Sequence, residues 1–148
     1  MVNQNISIRN ATQSDLESVI YLDHVTTKEA KPDYWRGVFA HYAAESRKDR
    51  FFLVAETSHA VIGFIIGEIR AWEYGSPPCG WVFALTVAPH AREMNIAKRM
   101  FDEISEQMKH TGVSLVRTMV NLDDAETMSF FRNMGLRTGK YIELISQI

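Results

Sequence analysis

The sequence has little of what marks several large classes of protein. Only one of its 148 residues is a cysteine, Cys79, which excludes an intramolecular disulfide framework and a zinc site made of several thiolates. Its apolar runs are far shorter than the ~20 residues that a membrane-spanning helix needs. The 16 lysines and arginines face 18 aspartates and glutamates, so the basic excess of a bulk-charge nucleic-acid binder is missing. An enzyme acting on small molecules or peptides, or a binding module, remains.

Length and the first residues set further expectations. A chain of 148 residues fits one domain with its own core, and we expect a single domain over residues 1–148. The first ten residues are polar and have no apolar stretch after basic residues, unlike a secretory signal. Together with the single cysteine, this favours a cytoplasmic protein that does not associate with a membrane.

Hydrophobic periodicity predicts a mixed α/β fold. Alternating or β-branched runs predict six strands, at residues 7–10, 51–57, 61–72, 81–87, 113–120 and 141–145. Apolar residues at helical spacing predict four helices, which begin near Thr12 and Pro32 and cover residues 92–110 and 124–134. The predicted order is β-α-α-β-β-β-α-β-α-β. Gly63 and Gly67 inside the third strand indicate a bulge.

The segment at residues 87–100 carries the clearest chemical signal. A predicted strand ends at Pro89 and a long helix begins near Arg92. The first turn of a helix has unpaired N–H groups and the positive end of the helix dipole, so it favours an anion. Lys98 and Arg99 add positive charge. On the residues alone, an ordinary helix start with a solvated basic face is the alternative.

This segment resembles the GNAT superfamily of N-acetyltransferases, in which a strand, a V-x-P turn and R-x-x-G-x-G/A open the helix that holds the pyrophosphate of acetyl-CoA. The matching residues are Val87, Pro89, Arg92, Ile96 and Ala97. A second GNAT block, L-Y-x-x-x-G-F at the end of a helix, is similar to residues 130–136, and the element order agrees from Ile6 onwards. The resemblance implies a GNAT-like α/β fold, with a mostly antiparallel sheet of about six strands flanked by four helices.

The resemblance also implies a function and a set of cofactor contacts. It implies direct attack of a primary amine on the thioester of acetyl-CoA in a ternary complex, with acetyl-CoA and an amine acceptor as partners. The backbone of the fourth predicted strand would pair with the pantetheine, and the helix start would hold the pyrophosphate. The expected cofactor-binding positions are Leu85, Thr86, Val87, Arg92, Glu93, Met94, Asn95, Ile96, Ala97, Lys98, Asn121, Ser129 and Phe131. Asn121 and Ser129 are equally well explained as turn and helix-surface residues.

Two departures from the GNAT pattern lie in the phosphate loop, where Glu93 and Asn95 replace glycines. Glycine suits that loop because the backbone must approach phosphate without a Cβ. Asparagine tolerates left-handed backbone better than most residues, whereas the Glu93 carboxylate repels a pyrophosphate unless it points to solvent. We expect CoA binding to be retained.

The usual acid and base of GNAT enzymes are also missing. Phe131 occupies the position of the tyrosine that often protonates the departing thiolate, and phenylalanine donates no proton. Phe83 falls where many members have a glutamate that deprotonates the amine. The candidate replacements are Glu68 and Glu73 as bases and Tyr74 and Tyr141 as acids. Each carboxylate is also explained as a solvated or salt-bridged surface group.

Other chemistry has little support in the sequence. The five histidines show no HxxxH or HExxH spacing, so we expect no metal site, and no P-loop or Rossmann motif is present. The aromatic residues around Trp35 and Tyr42 are interpreted as core and as a wall beside the acceptor rather than as a base-stacking platform. We therefore expect no nucleic-acid partner.

Two further hypotheses follow from the departures and from the last predicted strand. A GNAT-like domain that binds CoA, acyl-CoA or a protein partner without turnover is the alternative to an enzyme, since Phe83, Glu93 and Phe131 all differ from the active pattern. A short C-terminal strand has an edge that favours pairing with a second copy, so a homodimer is a further hypothesis.

Overall fold

The helices and strands follow one another along the chain in the predicted order, except that the last predicted strand is missing among the described residues. The computed structural model describes residues 5–44, 47–58, 60–92 and 94–148. The elements are β1 (Ser7–Asn10), α1 (Leu16–Thr27), α2 (Pro32–Tyr42), β2 (Arg50–Glu56), β3 (Val61–Arg70), β4 (Cys79–Val87), α3 (Ile96–Lys109), β5 (Val116–Arg117) and α4 (Ala125–Asn133). No helix among these residues is long and apolar enough to cross a membrane.

The chain forms two compact units, Met1–Thr118 and Met119–Ile148. The first unit contains a five-stranded sheet in the order β1-β2-β3-β4-β5. The pairs from β1 to β4 are antiparallel, and β5 is parallel to β4. A mostly antiparallel central sheet is therefore confirmed. The single domain expected over residues 1–148 stays a prediction.

The sixth predicted strand, at residues 141–145, is wrong. Among the described residues of the second unit α4 is the regular element, and the backbone of residues 141–145 pairs with no described strand. Ile142, Leu144 and Ile145 are each at least 85% exposed. Apolar alternation alone does not make a strand, because the backbone groups need a neighbouring strand as hydrogen-bond partner. The fifth strand, expected over residues 113–120, is limited to Val116–Arg117.

Two helix starts differ from the prediction for a local reason. Helix α3 begins at Ile96 rather than Arg92, because residues 89–91 form a short 3₁₀ turn and Asn95 is left-handed, with φ 61°. A left-handed residue cannot continue a right-handed helix. The N-cap of α4 is Asp124, whose side chain accepts a hydrogen bond from the Thr127 N–H at 3.0 Å. The last helix therefore begins within a residue of the predicted start.

Helices cover both faces of the sheet in the first unit. Met100, Ile104 and Met108 of α3 are fully buried, and a Cβ placed on Gly63 or Gly67 of β3 would touch this helix. On the other face, the rings of Trp35 and Phe64 of β3 are 5.2 Å apart, and those of Phe39 and Phe52 of β2 are 4.8 Å apart. Apolar burial on both faces explains why the central strands read as nearly continuous hydrophobic runs.

A buried carboxylate joins the two helices of this second face. Asp23 of α1 is 7% exposed and accepts a hydrogen bond from Trp35 Nε1 at 3.0 Å. Lys31 forms an ion pair with the same carboxylate at 3.1 Å. A buried charge is tolerated when it is both paired and hydrogen-bonded. This contact ties α2 to α1, and α2 carries a side chain of the candidate site.

Candidate active site

Strand β4 contains a bulge at the level of Phe83. Ile66 lies opposite Ala84, but the next residue, Gly67, lies opposite Val82, so Phe83 is the extra residue of β4. A bulge bends the strand and redirects its side chains. Phe83 is 44% exposed as a result of this placement. The bulge beside Gly67 thus lies in β4 and not in β3, where the glycines indicated it. Strand β3 has its own extra residue, Ile62, beside Gly63, since Ala55 lies opposite Gly63 and Glu56 lies opposite Val61.

Gly67 has no room for a side chain. A Cβ at this position would lie 2.6 Å from the Trp81 carbonyl oxygen and 2.7 Å from Met108 Cε. Both distances are shorter than real Cβ contacts. Gly67 therefore permits the close approach of β3, the bulged strand and α3.

The edge of β4 that faces β5 is paired over only a short stretch. β5 pairs with β4 at Gly80 and Trp81, and Thr118 Oγ1 donates a hydrogen bond to the Val82 carbonyl oxygen at 2.9 Å. No described residue of the first unit pairs with this edge beyond Val82. The two strands therefore part at the bulge.

Residues 85–87 present backbone groups to this open edge. The Ala88 N–H donates to the Ile62 carbonyl oxygen at 2.7 Å, so Ala88 faces β3. Backbone groups in an antiparallel pair alternate between the partner and the opposite side, which turns those of Leu85 and Val87 away from β3. Thr86, which lies opposite Phe64, points its backbone groups towards β3. The backbone N–H and C=O groups of Leu85 and Val87 therefore point to the open edge. The resemblance predicts that the pantetheine arm pairs at this edge.

The open edge leads into the start of α3. The first helical hydrogen bond runs from the Arg99 N–H to the Asn95 carbonyl oxygen at 3.2 Å. Among the described residues, the N–H groups of Ile96, Ala97 and Lys98 therefore have no helical acceptor. They lie at the positive end of the helix dipole. Asn95 has a left-handed φ, a conformation that asparagine tolerates better than most residues, as noted from the sequence.

The cations around this helix start differ in their availability. Lys98 Nζ lies 2.6 Å from an Asp102 carboxylate oxygen, and Arg99 Nη2 donates to the Ile6 carbonyl oxygen at 3.0 Å. Arg92 is exposed and forms no ion pair with a described residue. It is therefore the cation with the fewest structural ties near the helix start. Met94, also predicted to contact the cofactor, is half-buried. Glu93 falls outside the described residues.

Glu68 lies on β3 opposite Trp81 of β4, close to the bulge. Its side chain is 27% exposed, and its Oε2 accepts a hydrogen bond from the Tyr42 hydroxyl at 3.0 Å. Burial, and then the hydrogen bond to Glu68, raise the pKa of Tyr42 to about 12. The Tyr42 and Phe83 ring centroids are 5.3 Å apart. A carboxylate and a protonated phenol thus meet beside the bulge.

Glu73 shares a guanidinium with Glu68. Arg70 Nε donates to Glu73 Oε1 at 3.1 Å and lies 3.9 Å from Glu68 Oε1. The guanidinium also lies over the Trp81 ring, 5.4 Å from its centroid. The structure therefore brings both predicted bases to one corner of the molecule. Tyr74, on the same loop, is 77% exposed and left-handed, with φ 55°.

The remaining predicted positions belong to the second unit. The Asn121 side chain accepts a hydrogen bond from the Asp123 N–H at 2.8 Å, which is a turn contact. Ser129 is exposed on α4, and Tyr141 is 39% exposed. Phe131 is buried, with its ring 5.0 Å from that of Phe130. The cofactor roles of these residues stay predictions.

Tyr42 is the site residue that sequence reasoning missed. The sequence placed it in an aromatic wall, and nothing in the pattern connected it with Glu68, which is 26 residues away. Only the packing of α2 on the sheet brings the two together. Among the described residues, no three histidine, cysteine, aspartate or glutamate side chains are grouped as metal ligands would be.

Comparison with known proteins places this geometry in a family. Residues 15–136 match the model of the acetyltransferase (GNAT) family. The fold is similar to that of the aminoglycoside N-acetyltransferase AAC(6')-Iy in complex with CoA, with 15% identity, a TM-score of 0.86, and 99% of this chain and 97% of that chain covered. It is also similar to AAC(6')-Ih from Acinetobacter baumannii, with 15% identity, a TM-score of 0.83, and 97% and 99% covered.

A third solved structure with this fold is a ribosomal-protein-alanine N-acetyltransferase from Brucella melitensis, with 12% identity, a TM-score of 0.77, and 97% and 99% of the two chains covered. No curated protein sequence matches the chain. The match to the family model extends over most of the sequence, including the bulged strand and the start of α3. The chain belongs to the acetyltransferase (GNAT) family.

Proposed function

We propose that this acetyltransferase moves the acetyl group of acetyl-CoA to a primary amine of a small molecule or peptide, by direct attack while both substrates are bound. The observation that carries the proposal is the continuity of two binding features. Within the described residues of the first unit, the edge of β4 beyond Val82 is unpaired, and the chain runs from the end of this strand at Val87 through a short turn to the first N–H groups of α3. A long ligand fits these two features in turn: an amide-containing arm pairs with the strand edge, and a diphosphate binds at the helix start.

The cofactor would lie along these two features. Leu85 and Val87 would pair with the amides of the pantetheine arm, and Thr86 would hold the strand in place from the β3 side. The N–H groups of residues 96–98 would bind the pyrophosphate, with Arg92 adding charge. Asn95 would let the loop turn into the helix, since its φ is 61°.

The reaction needs a proton acceptor and a leaving group. Glu68 would take a proton from the amine, directly or through a water, so that the nitrogen attacks the thioester carbonyl. The N–C bond forms as the C–S bond breaks, and the thiolate of CoA leaves. With thiol pKa values near ~8.5, that thiolate is a tolerable leaving group without a tyrosine at Phe131. Glu73, Tyr74 and Tyr141 are the proposed substitutes if Glu68 is not the base or if an acid is required.

The acceptor would lie over α1 and α2 and over the loop that joins β3 to β4, at residues 71–78. Neighbours with this fold act on aminoglycosides and on the alanine of a ribosomal protein, so amino sugars and peptide amino termini are the first classes to test. Glu73 and the exposed Tyr74 ring lie on this loop. A carboxylate and an aromatic face both suit a cationic amine.

The experiment measures CoA release with kanamycin A, with peptides that have a free amino terminus, and with a broad panel of other primary amines. Release above the acetyl-CoA hydrolysis background supports the proposal. Acetyl-CoA binding without release for any amine would favour the alternative, a domain that binds acyl-CoA without turnover. In calorimetry, Arg92→Ala should weaken acetyl-CoA binding roughly tenfold, the loss of one charge-assisted contact. Lys109→Ala, at the other end of α3, is the matched control and should bind normally.

We also propose a cytoplasmic homodimer. Residues 141–148 carry the exposed apolar side chains Ile142, Leu144, Ile145 and Ile148. An exposed apolar segment favours association with another chain, and a second copy is the occupant we propose. Cys79 is a buried free thiol, and free thiols persist in a reducing compartment.

A further inference from the structure

Tyr42 connects three elements at the candidate site. It is the last residue of α2, its hydroxyl donates to Glu68 of β3, and its ring packs against Phe83 of β4. The hydrogen bond measures 3.0 Å, and the ring centroids are 5.3 Å apart. Arg50 lies over the same ring, 5.8 Å from its centroid. Tyr42 is therefore held from several sides.

The fold explains why this side chain reaches Glu68. Trp35 and Tyr42 are two helical turns apart, so they share one side of α2. Phe64 and Glu68 are an even number of residues apart on β3, so they share one face of the sheet. Trp35 packs on Phe64, with ring centroids 5.2 Å apart, and Tyr42 consequently reaches Glu68. The contact follows from the packing of a whole helix on a whole strand.

The two oxygens of Glu68 have different neighbours. Oε2 accepts the hydrogen bond from Tyr42, whereas Oε1 is 3.9 Å from Arg70 Nε. These two contacts restrict how the carboxylate can turn, and the remaining lone pairs of both oxygens can still accept hydrogen bonds. Burial, and then the hydrogen bond to Glu68, raise the pKa of the phenol to about 12. The phenol donates in this contact because an ionised carboxylate can only accept.

We propose that Tyr42 is a positioning residue for acetyl transfer: its hydroxyl holds the Glu68 carboxylate, beside the bulge at Phe83, in the orientation that receives the proton of the amine. The inference rests on the proposed function, because it takes Glu68 as the base. Tyr42 keeps its own proton throughout. The proton lost by the amine goes to Glu68 and then to solvent.

The contact is tested in solution by NMR of the full chain with labelled tyrosine rings. The Tyr42 signal is assigned from its loss in Tyr42→Phe. At pH 10.5, where a free tyrosine with a pKa of ~10 is mostly ionised, the Tyr42 ring should remain protonated. In Glu68→Gln the ring should ionise at a lower pH than in the wild type, because burial remains but the hydrogen bond to a carboxylate is lost. If the wild-type ring ionises together with a free tyrosine peptide, the hydroxyl is not held by Glu68 and the proposal is wrong.

The role is tested by a double-mutant cycle with acetyl-CoA and an acceptor from the amine panel. Tyr42→Phe keeps the ring and should lower kcat roughly tenfold, equivalent to about 1.4 kcal/mol, with KM for acetyl-CoA unchanged. In the Glu68→Gln background, the same change should alter kcat less than about twofold, since the group it positions is gone. Tyr21→Phe, which removes an exposed hydroxyl from α1, is the control.

Three outcomes are informative in different ways. An equal loss in both backgrounds shows that Tyr42 acts on stability and not through Glu68, which overturns the inference. No loss in Tyr42→Phe, with a wild-type enzyme that transfers acetyl groups, overturns the inference and leaves the proposed function standing. No transfer by the wild type to any amine overturns both.

Discussion

At the scale of single residues, two backbone positions allow the site to form. Asn95 has a left-handed φ of 61° and turns the chain from the 3₁₀ segment into α3. Gly67 lies beside the bulge, where a Cβ would meet the Trp81 carbonyl at 2.6 Å. The first position needs a tolerant backbone, and the second needs the absence of a side chain. Both support the geometry around the residues to which the proposed function assigns binding and catalysis.

Gly67→Ala should lower the free energy of unfolding by about 1–3 kcal/mol, because the new methyl group overlaps backbone and Met108 in a packed interior. Gly37→Ala is the matched control: a Cβ there has no neighbour within 4 Å. As an exposed position inside α2, it should gain up to about 1 kcal/mol from helix propensity. Urea unfolding of both variants measures the difference, and equal effects would contradict the role of close approach.

At the scale of elements, an ion network ties the first strand to its neighbours. Arg9 of β1 donates to Asp15 at 2.8 Å, in the turn before α1, and to Glu56 of β2 at 2.9 Å. The hydrogen bond from Arg9 holds the pKa of Asp15 below its usual value, and the same contact lowers the pKa of Glu56. The side chain of Asp15 is only 6% exposed. Its ionised form is therefore part of the folded structure.

This network predicts a pH dependence of stability. A carboxylate whose pKa is lower in the folded state stabilises the protein above its unfolded pKa, and that stability is lost as the pH falls through the folded pKa. The free energy of unfolding should thus decrease as the pH drops below about 4. Asp15→Asn should lose about 2 kcal/mol at neutral pH and show a weaker dependence at acidic pH.

The control for this prediction is Asp33→Asn. Asp33 is paired with Arg36 on the surface of α2, and its side chain is 97% exposed. Exposed pairs contribute little, so this variant should keep both the stability and the pH profile of the wild type. Denaturant unfolding from pH 7 to pH 3 is the measurement. Identical profiles for the Asp15 variant and the wild type would contradict the assignment.

At the scale of the whole molecule, net charge and exposed apolar surface influence which partners the chain can bind. The formal net charge is -2, so the chain as a whole does not attract a polyphosphate. Affinity for an anionic cofactor must come from a local feature, and the start of α3 with Arg92 is the feature that the structure presents. The proposed homodimer likewise rests on a local feature, the exposed apolar side chains Ile142, Leu144, Ile145 and Ile148.

The dimer predicts a specific result in solution. Light scattering after size exclusion should give the mass of two chains for the wild type, and Leu144→Lys should shift it towards one, because a charge disrupts strand pairing between copies. Leu122→Lys is the matched control, since Leu122 is 93% exposed outside residues 141–148. It should leave the dimer intact. A wild-type monomer at ~100 µM would contradict the proposal, as that concentration is high for a stable interface.

How far the sequence could predict the fold depends on how local each feature is. The helices and the first four strands follow from periodicity within the elements themselves, with errors of a few residues at their ends. The prediction of a strand at residues 141–145 was wrong, because a strand needs a distant pairing partner that the alternation of apolar and polar residues does not reveal. The bulge was indicated by Gly67, but the identity of the extra residue, Phe83, required the register of two strands.

The site shows the same division. The sequence by itself determined that a turn at Pro89 leads into a long helix, although it placed the start of that helix at Arg92 rather than Ile96. Pro89 and the helical periodicity act on their own neighbourhood. The sequence also named both carboxylates that now lie around Arg70. Only the tertiary structure decided that Tyr42 donates to Glu68, because that contact depends on how α2 packs across the sheet. Local backbone preferences are written in a few adjacent residues, whereas a hydrogen bond across 26 residues exists only once burial has oriented both elements.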